Sequence, residues 1–225
     1  MGAVSSRTEG RIEMAKGPKY LVIEGPIGVG KTSLAKLLAR ELGGRLVLER
    51  AEDNPFLKEF YKNPKRLAFQ TQIFFLLSRY RQLQELSQMD LFERTTVTDY
   101  FFPKDRIFAS INLEASELAL YDQLYFLLNP TIPTPDLVIY LQAGPDVLMD
   151  RVRHRGLDYE KPLTPDYLET LNQAYNDFFF QYTGSPLLVV QTSEIDFVNR
   201  RADLDDLLHQ IRQMKNGIQY YIPKK

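Results

Sequence analysis

Glycine and lysine residues near the amino terminus form the clearest arrangement for chemistry in this sequence. The run Gly25-Pro-Ile-Gly-Val-Gly-Lys31-Thr32 matches G-x-x-x-x-G-K-[ST], follows an apolar stretch and precedes a segment with helical periodicity. Glycines let successive backbone N–H groups face an anion, the lysine reaches the β- and γ-phosphates, and the threonine hydroxyl can ligate Mg²⁺. The pattern therefore predicts an ATP-binding loop. The residues expected to bind the phosphates are Gly25, Gly28, Gly30, Lys31, Thr32 and Ser33.

Two carboxylates stand at the ends of predicted strands. Glu49 closes the predicted strand 45–49, and Asp99 closes the predicted strand 95–99. Because open α/β sheets bind ligands at the carboxyl ends of their strands, we expect both side chains near the phosphate loop. Phosphoryl transfer requires a base and an acid that organises the metal at such a place. Solvated strand ends are the alternative for either residue alone.

An arginine cluster follows later in the chain. Arg151, Arg153 and Arg155 fall within five consecutive residues, just before Gly156. Beside a phosphate loop, such a cluster predicts a lid that neutralises charge during transfer and excludes water. A solvated helix terminus is the alternative reading of the cluster by itself.

Polar residues also occur on one face of the predicted helix 66–86. Gln72 and Arg79 are seven residues apart, which places them on the same side among apolar neighbours. They could hydrogen-bond the edge of a nucleobase. An amphipathic surface helix would show the same spacing.

The composition limits the remaining classes of function. The 225-residue chain has 28 basic and 29 acidic side chains, a net charge of −1, which argues against binding to nucleic acid polymers or anionic membranes. It contains no cysteine, so thiol nucleophiles and thiolate metal sites are excluded, and only His154 and His209 could supply imidazole. No apolar run reaches the ~18 residues of a membrane span. We therefore expect a cytoplasmic protein.

The elements that must position these residues alternate between short apolar runs and longer helical segments. This alternation predicts an α/β fold of the phosphate-loop NTPase type, a three-layer sandwich with a five-stranded parallel sheet. We predict residues 1–18 as a disordered tail and 19–225 as a single domain. The predicted strands are 20–24, 45–49, 95–99, 137–141 and 187–191. The predicted helices are 31–42, 66–86, 107–128, 145–153, 165–182 and 204–214.

Taken together, these residues resemble the deoxynucleoside kinase family, from about Tyr20 to the C-terminal helix. The family has a strand-end glutamate that serves as general base for the 5′-hydroxyl, which Glu49 matches. It also has a tyrosine before an Asn/Asp-Pro pair and a glutamine eleven residues further on. Tyr61 and Gln72 reproduce that spacing, which implies that they bind the sugar 3′-hydroxyl and the base.

The same resemblance assigns further roles. Arg79 matches the family's base-reading arginine, and Asp105 matches its acidic partner. Glu160 matches a glutamate that reaches the 3′-hydroxyl from the lid. The catalytic set implied by the family is Glu49, Lys31, Asp99, Arg151 and Arg155, with Thr32 and Asp99 organising Mg²⁺.

Two positions depart from the family pattern. The third strand usually ends in Glu/Asp-Arg-Ser, whereas Tyr100 follows Asp99 here. That arginine normally contacts the base glutamate and the transferring phosphate, so we expect a slower reaction. Leu157 occupies another lid arginine position, and we expect Arg153 to substitute for it at the ATP phosphates.

The resemblance implies ATP-dependent 5′-phosphorylation of a deoxynucleoside by a homodimer. Deoxyadenosine, deoxyguanosine and deoxycytidine all remain open as substrates. One alternative is a nucleoside monophosphate kinase, which would need further cations for the acceptor's own phosphate. Another is a weakly active or non-catalytic nucleotide-binding homologue, suggested by Tyr100.

Overall fold

A parallel sheet lies at the centre of the computed structural model, which describes residues 18–88, 95–129 and 132–223. Across these residues six strands are ordered β2-β3-β1-β4-β5-β6, and every neighbouring pair is parallel. The strands are β1 (Tyr20–Glu24), β2 (Arg45–Val47), β3 (Thr96–Thr98), β4 (Leu137–Gln142), β5 (Leu187–Gln191) and β6 (Ile218–Tyr221). Residues 1–17 of the predicted tail lie outside the described residues.

Helices cover both faces of this sheet. They are α1 (Lys31–Glu41), α2 (Leu57–Lys62), α3 (Pro64–Gln88), α4 (Lys104–Asn112), α5 (Ala115–Leu128), α6 (Pro145–Arg155), α7 (Pro165–Phe180) and α8 (Arg201–Gln213). Side chains alternate across β1: Leu21 and Ile23 pack with α1, α6 and α8, whereas Tyr20 and Val22 pack on the other face with α3, α4, α5 and α7. Because both faces are covered, all five residues of β1 are buried. The predicted α/β architecture with helices on both faces is confirmed.

The prediction of five strands is wrong, because the described structure has six. β6 pairs with β5 at the edge of the sheet, with Ile218 opposite Leu187. Only Tyr221 of its four residues is buried. A partly exposed edge strand lacks the continuous buried apolar run by which the covered strands are recognised.

Two further differences concern the helices. The predicted helix 107–128 is two helices, separated at Leu113 and Glu114. Glu114 caps the start of α5: its side chain accepts the backbone N–H of Glu117, and the Glu117 side chain accepts the backbone N–H of Glu114. A new helix therefore begins here, although the apolar pattern continues. The short helix α2 was not predicted. Among the described residues, none of the helices has the length and apolar character needed to cross a membrane.

The strand order brings three strand ends to one edge of the sheet. β1 lies between β3 and β4, and β3 lies between β1 and β2. The chain leaving β1 enters the glycine turn, the chain leaving β2 reaches Glu49, and the chain leaving β3 reaches Asp99. A crevice at such a crossover point is where open α/β sheets bind ligands.

Candidate active site

The glycine turn between β1 and α1 has a backbone that only glycine accommodates. Gly25 has φ +152° and Gly28 has φ +85°. A Cβ atom on Gly25 would lie 2.5 Å from the carbonyl oxygen of Leu141, and one on Gly28 would lie 2.7 Å from that of Leu148. The turn leads directly into the N-terminus of α1 at Lys31, where free N–H groups and the helix dipole favour an anion.

Lys31 curls back over this turn. Its Nζ donates hydrogen bonds to the carbonyl oxygens of Gly25 at 2.7 Å and Pro26 at 3.1 Å. Burial lowers the pKa of Lys31 to about 8, although nearby carboxylates partly offset this effect. The ammonium therefore lies where the loop would present it to a phosphate.

Glu24 connects the turn to the neighbouring strand end, a role that the sequence analysis missed. The fully buried carboxylate accepts hydrogen bonds from the backbone N–H of Gly25 at 2.8 Å, the N–H of Phe101 at 2.9 Å and the hydroxyl of Tyr175 at 3.1 Å. Burial raises its pKa. A carboxylate at the end of an apolar strand, directly before a glycine, was the available signal.

Thr32 and Asp99 form a pair of oxygen groups beside the turn. The Thr32 hydroxyl donates to Asp99 Oδ2 at 2.5 Å, and Asp99 Oδ1 accepts the backbone N–H of Glu49 at 2.7 Å. Within the described ranges, no three histidine, cysteine or acidic side chains cluster as a metal site. Mg²⁺ commonly uses one or two protein oxygens together with phosphate oxygens, and this pair fits that pattern.

Glu49 lies between two cations. Arg79 pairs with its Oε1, and Lys104 Nζ lies 2.5 Å from its Oε2. Burial alone would raise the pKa of Glu49, but the charges of Arg79 and Lys104 outweigh it and hold the pKa well below its usual range. The group is therefore a carboxylate at neutral pH.

The guanidinium of Arg79 bridges two carboxylates. It pairs with Asp105 as well as with Glu49, and it lies over the ring of Phe75 at 4.5 Å from the ring centre. Asp105 is 1% exposed, behind the arginine. Gln72 is also almost fully buried, and it lines the same cleft as Arg79 and Glu49.

This cleft has a volume of about 1310 Å³ and extends from the glycine turn to the α2 and α3 helices. Its far end is bounded by aromatic rings. Tyr61 and Tyr159 are nearly parallel, 6.2 Å between ring centres, and burial raises the pKa of Tyr61. Both rings line the cleft together with Glu160.

The three predicted lid arginines have different surroundings. Arg151 donates to the carbonyl oxygen of Thr192 at 2.7 Å and to that of Val29 at 3.2 Å, while Arg155 pairs with Glu160 at 2.5 Å. Both line the cleft. Arg153 has a side chain that is 70% exposed, 3.9 Å from Asp150, and in the described structure it lies outside the cleft lining. An arginine-rich lid stays a prediction.

Comparison with known proteins identifies the family. The model of the family described as "Deoxynucleoside kinase" matches residues 21–216. The chain belongs to the deoxynucleoside kinase family. The Bacillus subtilis "Deoxyguanosine kinase" is 34% identical over 200 residues, covering 87% of this chain and 97% of the relative. The Dictyostelium discoideum "Deoxyadenosine kinase" is 35% identical over 185 residues, covering 80% and 74%.

Solved structures agree with this assignment. A deoxyadenosine kinase from M. mycoides with bound dCTP superimposes with a TM-score of 0.75 at 25% identity, covering 87% of this chain and all of that one. The resemblance inferred from the phosphate loop and the strand-end glutamate is therefore confirmed at the level of the family.

In this deoxynucleoside kinase, the tyrosine that departs from the family pattern belongs to the core. Tyr100 is fully buried, and its hydroxyl has no hydrogen-bond partner in the part of the chain that the structure describes. Besides Arg79, the cation that contacts Glu49 is Lys104, which sequence reasoning missed. A single lysine at the start of a helix has no local pattern that distinguishes it from a solvated residue.

Proposed function

We propose that this chain transfers the γ-phosphate of ATP to the 5′-hydroxyl of a deoxynucleoside. One observation carries the proposal. Glu49, an ionised strand-end carboxylate, lines the same cleft as the phosphate loop and the polar residues Gln72 and Arg79. A base, a phosphate site and a polar recognition surface thus share one cavity, as phosphoryl transfer to a bound alcohol requires.

The chemistry follows from the positions of these groups. Glu49 accepts the hydroxyl proton as the bond from the nucleoside oxygen to the γ-phosphorus forms, and the bond to the β–γ bridging oxygen breaks to release ADP. Lys31 neutralises charge on the β- and γ-phosphates. Arg151 and Arg155 close over the transferring group and exclude water.

A magnesium ion fits the pair of Thr32 and Asp99, whose hydroxyl and carboxylate oxygens are the hard ligands it prefers. When bound, it would neutralise charge on the phosphate oxygens. In the same proposal, Gly25, Gly28, Gly30 and Ser33 bind the phosphates through the loop backbone and the start of α1. We do not assign Arg153 a contact with the ATP phosphates, because its exposed side chain lies outside the cleft lining.

The acceptor is a purine deoxynucleoside in our proposal. The side-chain amide of Gln72 carries hydrogen-bond donors and an acceptor. Arg79 supplies further donors and is held in place by Asp105. Gln72 and Arg79 together can therefore recognise a base edge that has both donors and acceptors. Tyr61 and Glu160 hold the sugar at the lid side. The choice of a purine is supported by relatives named for guanine and adenine deoxynucleosides.

A substrate panel tests the function. Purified protein, ATP and Mg²⁺ are incubated with the four deoxynucleosides, the matching ribonucleosides and the deoxynucleoside monophosphates, and ADP release is measured. We expect turnover with deoxyguanosine and deoxyadenosine above deoxycytidine and thymidine, and above the ribonucleosides. Turnover of monophosphates alone would favour a nucleoside monophosphate kinase, and no acceptor-dependent turnover would favour a non-catalytic homologue.

We also propose that the enzyme is a cytoplasmic homodimer. Helix α5 exposes Leu120, Phe126 and Leu127, which are 49%, 58% and 72% accessible to solvent. Large apolar side chains grouped on one helix are typical of an interface between subunits. A cytoplasmic location suits an enzyme that consumes ATP.

A further inference from the structure

We propose that Lys104 is the positioning residue of Glu49: its ammonium holds one carboxylate oxygen so that the group faces the cleft, and it leaves the other oxygen for the substrate hydroxyl. This inference rests on the proposed function, in which Glu49 accepts the proton. The role falls to a residue in the α4 helix, outside the phosphate loop and the lid.

The location of Lys104 is unfavourable for a lysine unless its ammonium has an ion-pair partner. Its side chain is 4% exposed, and it is the first residue of α4, where the helix dipole disfavours a cation. Buried lysines are rare unless they are paired. Lys104 meets this requirement through Glu49, with Nζ 2.5 Å from Oε2, and it lines the cleft.

Arg79, the second cation beside Glu49, also contacts other groups. Arg79 pairs with Oε1 of Glu49, but it also pairs with Asp105 and lies next to the polar surface proposed to read the base. A nucleobase bound to Arg79 would compete with Glu49 for the same guanidinium. Lys104 contacts the other oxygen, so it can keep the carboxylate in place when Arg79 turns to the base.

The positive charge of Lys104 acts on both Glu49 and the phosphate loop. Its positive charge contributes to the low pKa of Glu49 and acts on the pKa values of Glu24 and Lys31. Lys104 therefore lies within electrostatic range of the strand-end carboxylates and of the phosphate-loop lysine. Loss of this cation would leave Glu49 less firmly oriented, because Oε2 would lose its ion pair.

Lys104→Met tests the inference because it keeps an unbranched side chain only one atom shorter and removes the charge. We expect kcat to fall on the order of 10²-fold, as for loss of an effective general base, while KM for ATP stays within about twofold. Lys104→Arg should restore most of kcat, because it returns a cation to the same carboxylate oxygen.

Lys62→Met is the matched control. Lys62 also pairs with a glutamate, Glu59, at 2.7 Å, but its side chain is 64% exposed and it lies outside the cleft lining. We expect no change in kcat. An unchanged kcat in Lys104→Met would overturn the inference. Equal losses of kcat in Lys104→Met and Lys104→Arg would also overturn it and indicate a purely structural role.

A second measurement separates a positioning role from a loss of folding. Tm and ATP binding by calorimetry are measured for both Lys104 variants, and we expect Lys104→Met to be folded and to bind ATP at the assay temperature while kcat falls. A fall in kcat that only follows a loss of ATP binding would overturn the inference, whereas absence of deoxynucleoside phosphorylation by the wild type would refute the proposed function alone.

Discussion

Asp105→Asn removes one of the two carboxylates that hold the buried guanidinium of Arg79. The change keeps the size of the side chain and removes its charge, at a position that is 1% exposed. Breaking a buried ion pair costs about 3–5 kcal/mol when the remaining charge is left without a partner. Because Glu49 still pairs with Arg79, we expect the lower end, about 3 kcal/mol.

Thermal unfolding measures this cost. For a chain of this length, 1 kcal/mol shifts Tm by about 2–4 °C, so the variant should unfold about 6–12 °C earlier. Asp122→Asn is the control, because Asp122 pairs with Arg106 of the same α4 helix at 2.9 Å and that arginine is 47% exposed. Exposed pairs contribute about 0.2–1 kcal/mol, so this variant should lose less than about 4 °C.

The same variant has an effect on binding. Without Asp105, Arg79 loses the contact that fixes its orientation toward the base. KM for the deoxynucleoside should therefore rise on the order of tenfold, equivalent to about 1.4 kcal/mol, while KM for ATP stays within about twofold. Equal Tm losses in the two Asn variants, or an unchanged nucleoside KM in Asp105→Asn, would show that Asp105 does not hold Arg79 in place.

Three further predictions concern the phosphate loop and the subunit interface. Burial lowers the pKa of Lys31 to about 8, so its charge is lost above that pH. We therefore expect kcat/KM for ATP to decline above pH 8 in steady-state assays. A kcat/KM that stays constant across pH 8 would contradict this. Gly28→Ala should weaken ATP binding on the order of tenfold or more in calorimetry, because the new Cβ would meet the Leu148 carbonyl oxygen. The control Gly144→Ala should bind ATP as tightly as the wild type, because no atom of the described residues, its chain neighbours aside, lies within 4 Å of its Cβ position. Leu127→Glu should convert a dimer to a monomer in light scattering. The control Phe180→Glu, at an even more exposed position on α7, should not. A wild type that is already monomeric would refute the dimer.

The parts of the site that sequence predicts best depend on local chemistry. The Gly25–Thr32 turn was recognisable because glycines, lysine and threonine at fixed spacing follow an apolar strand. Glu49 and Asp99 were recognisable because parallel strands present their carboxyl ends at one edge. In each case the chemistry follows from neighbours in the chain, so the position of the residue could be predicted before its contacts were known.

The features that were missed depend on contacts between distant parts of the chain. Lys104 contacts Glu49 only because the start of α4 packs against the segment after β2. Glu24 joins two segments only because the N–H of Phe101 and the hydroxyl of Tyr175 reach it. β6 is a strand because it pairs with the edge of β5, although only one of its own four residues is buried. These relations are tertiary, and no spacing within one segment encodes them.

In the proposed reaction, Glu49 takes the proton of the nucleoside hydroxyl inside the cleft. Glu49→Gln tests this role, with kcat measured at saturating ATP and deoxyguanosine, and with ATP binding and Tm measured alongside. We expect kcat to fall about 10²–10⁴-fold in a folded protein that still binds ATP. A variant that binds ATP and releases deoxyguanosine-dependent ADP at the wild-type rate would contradict it.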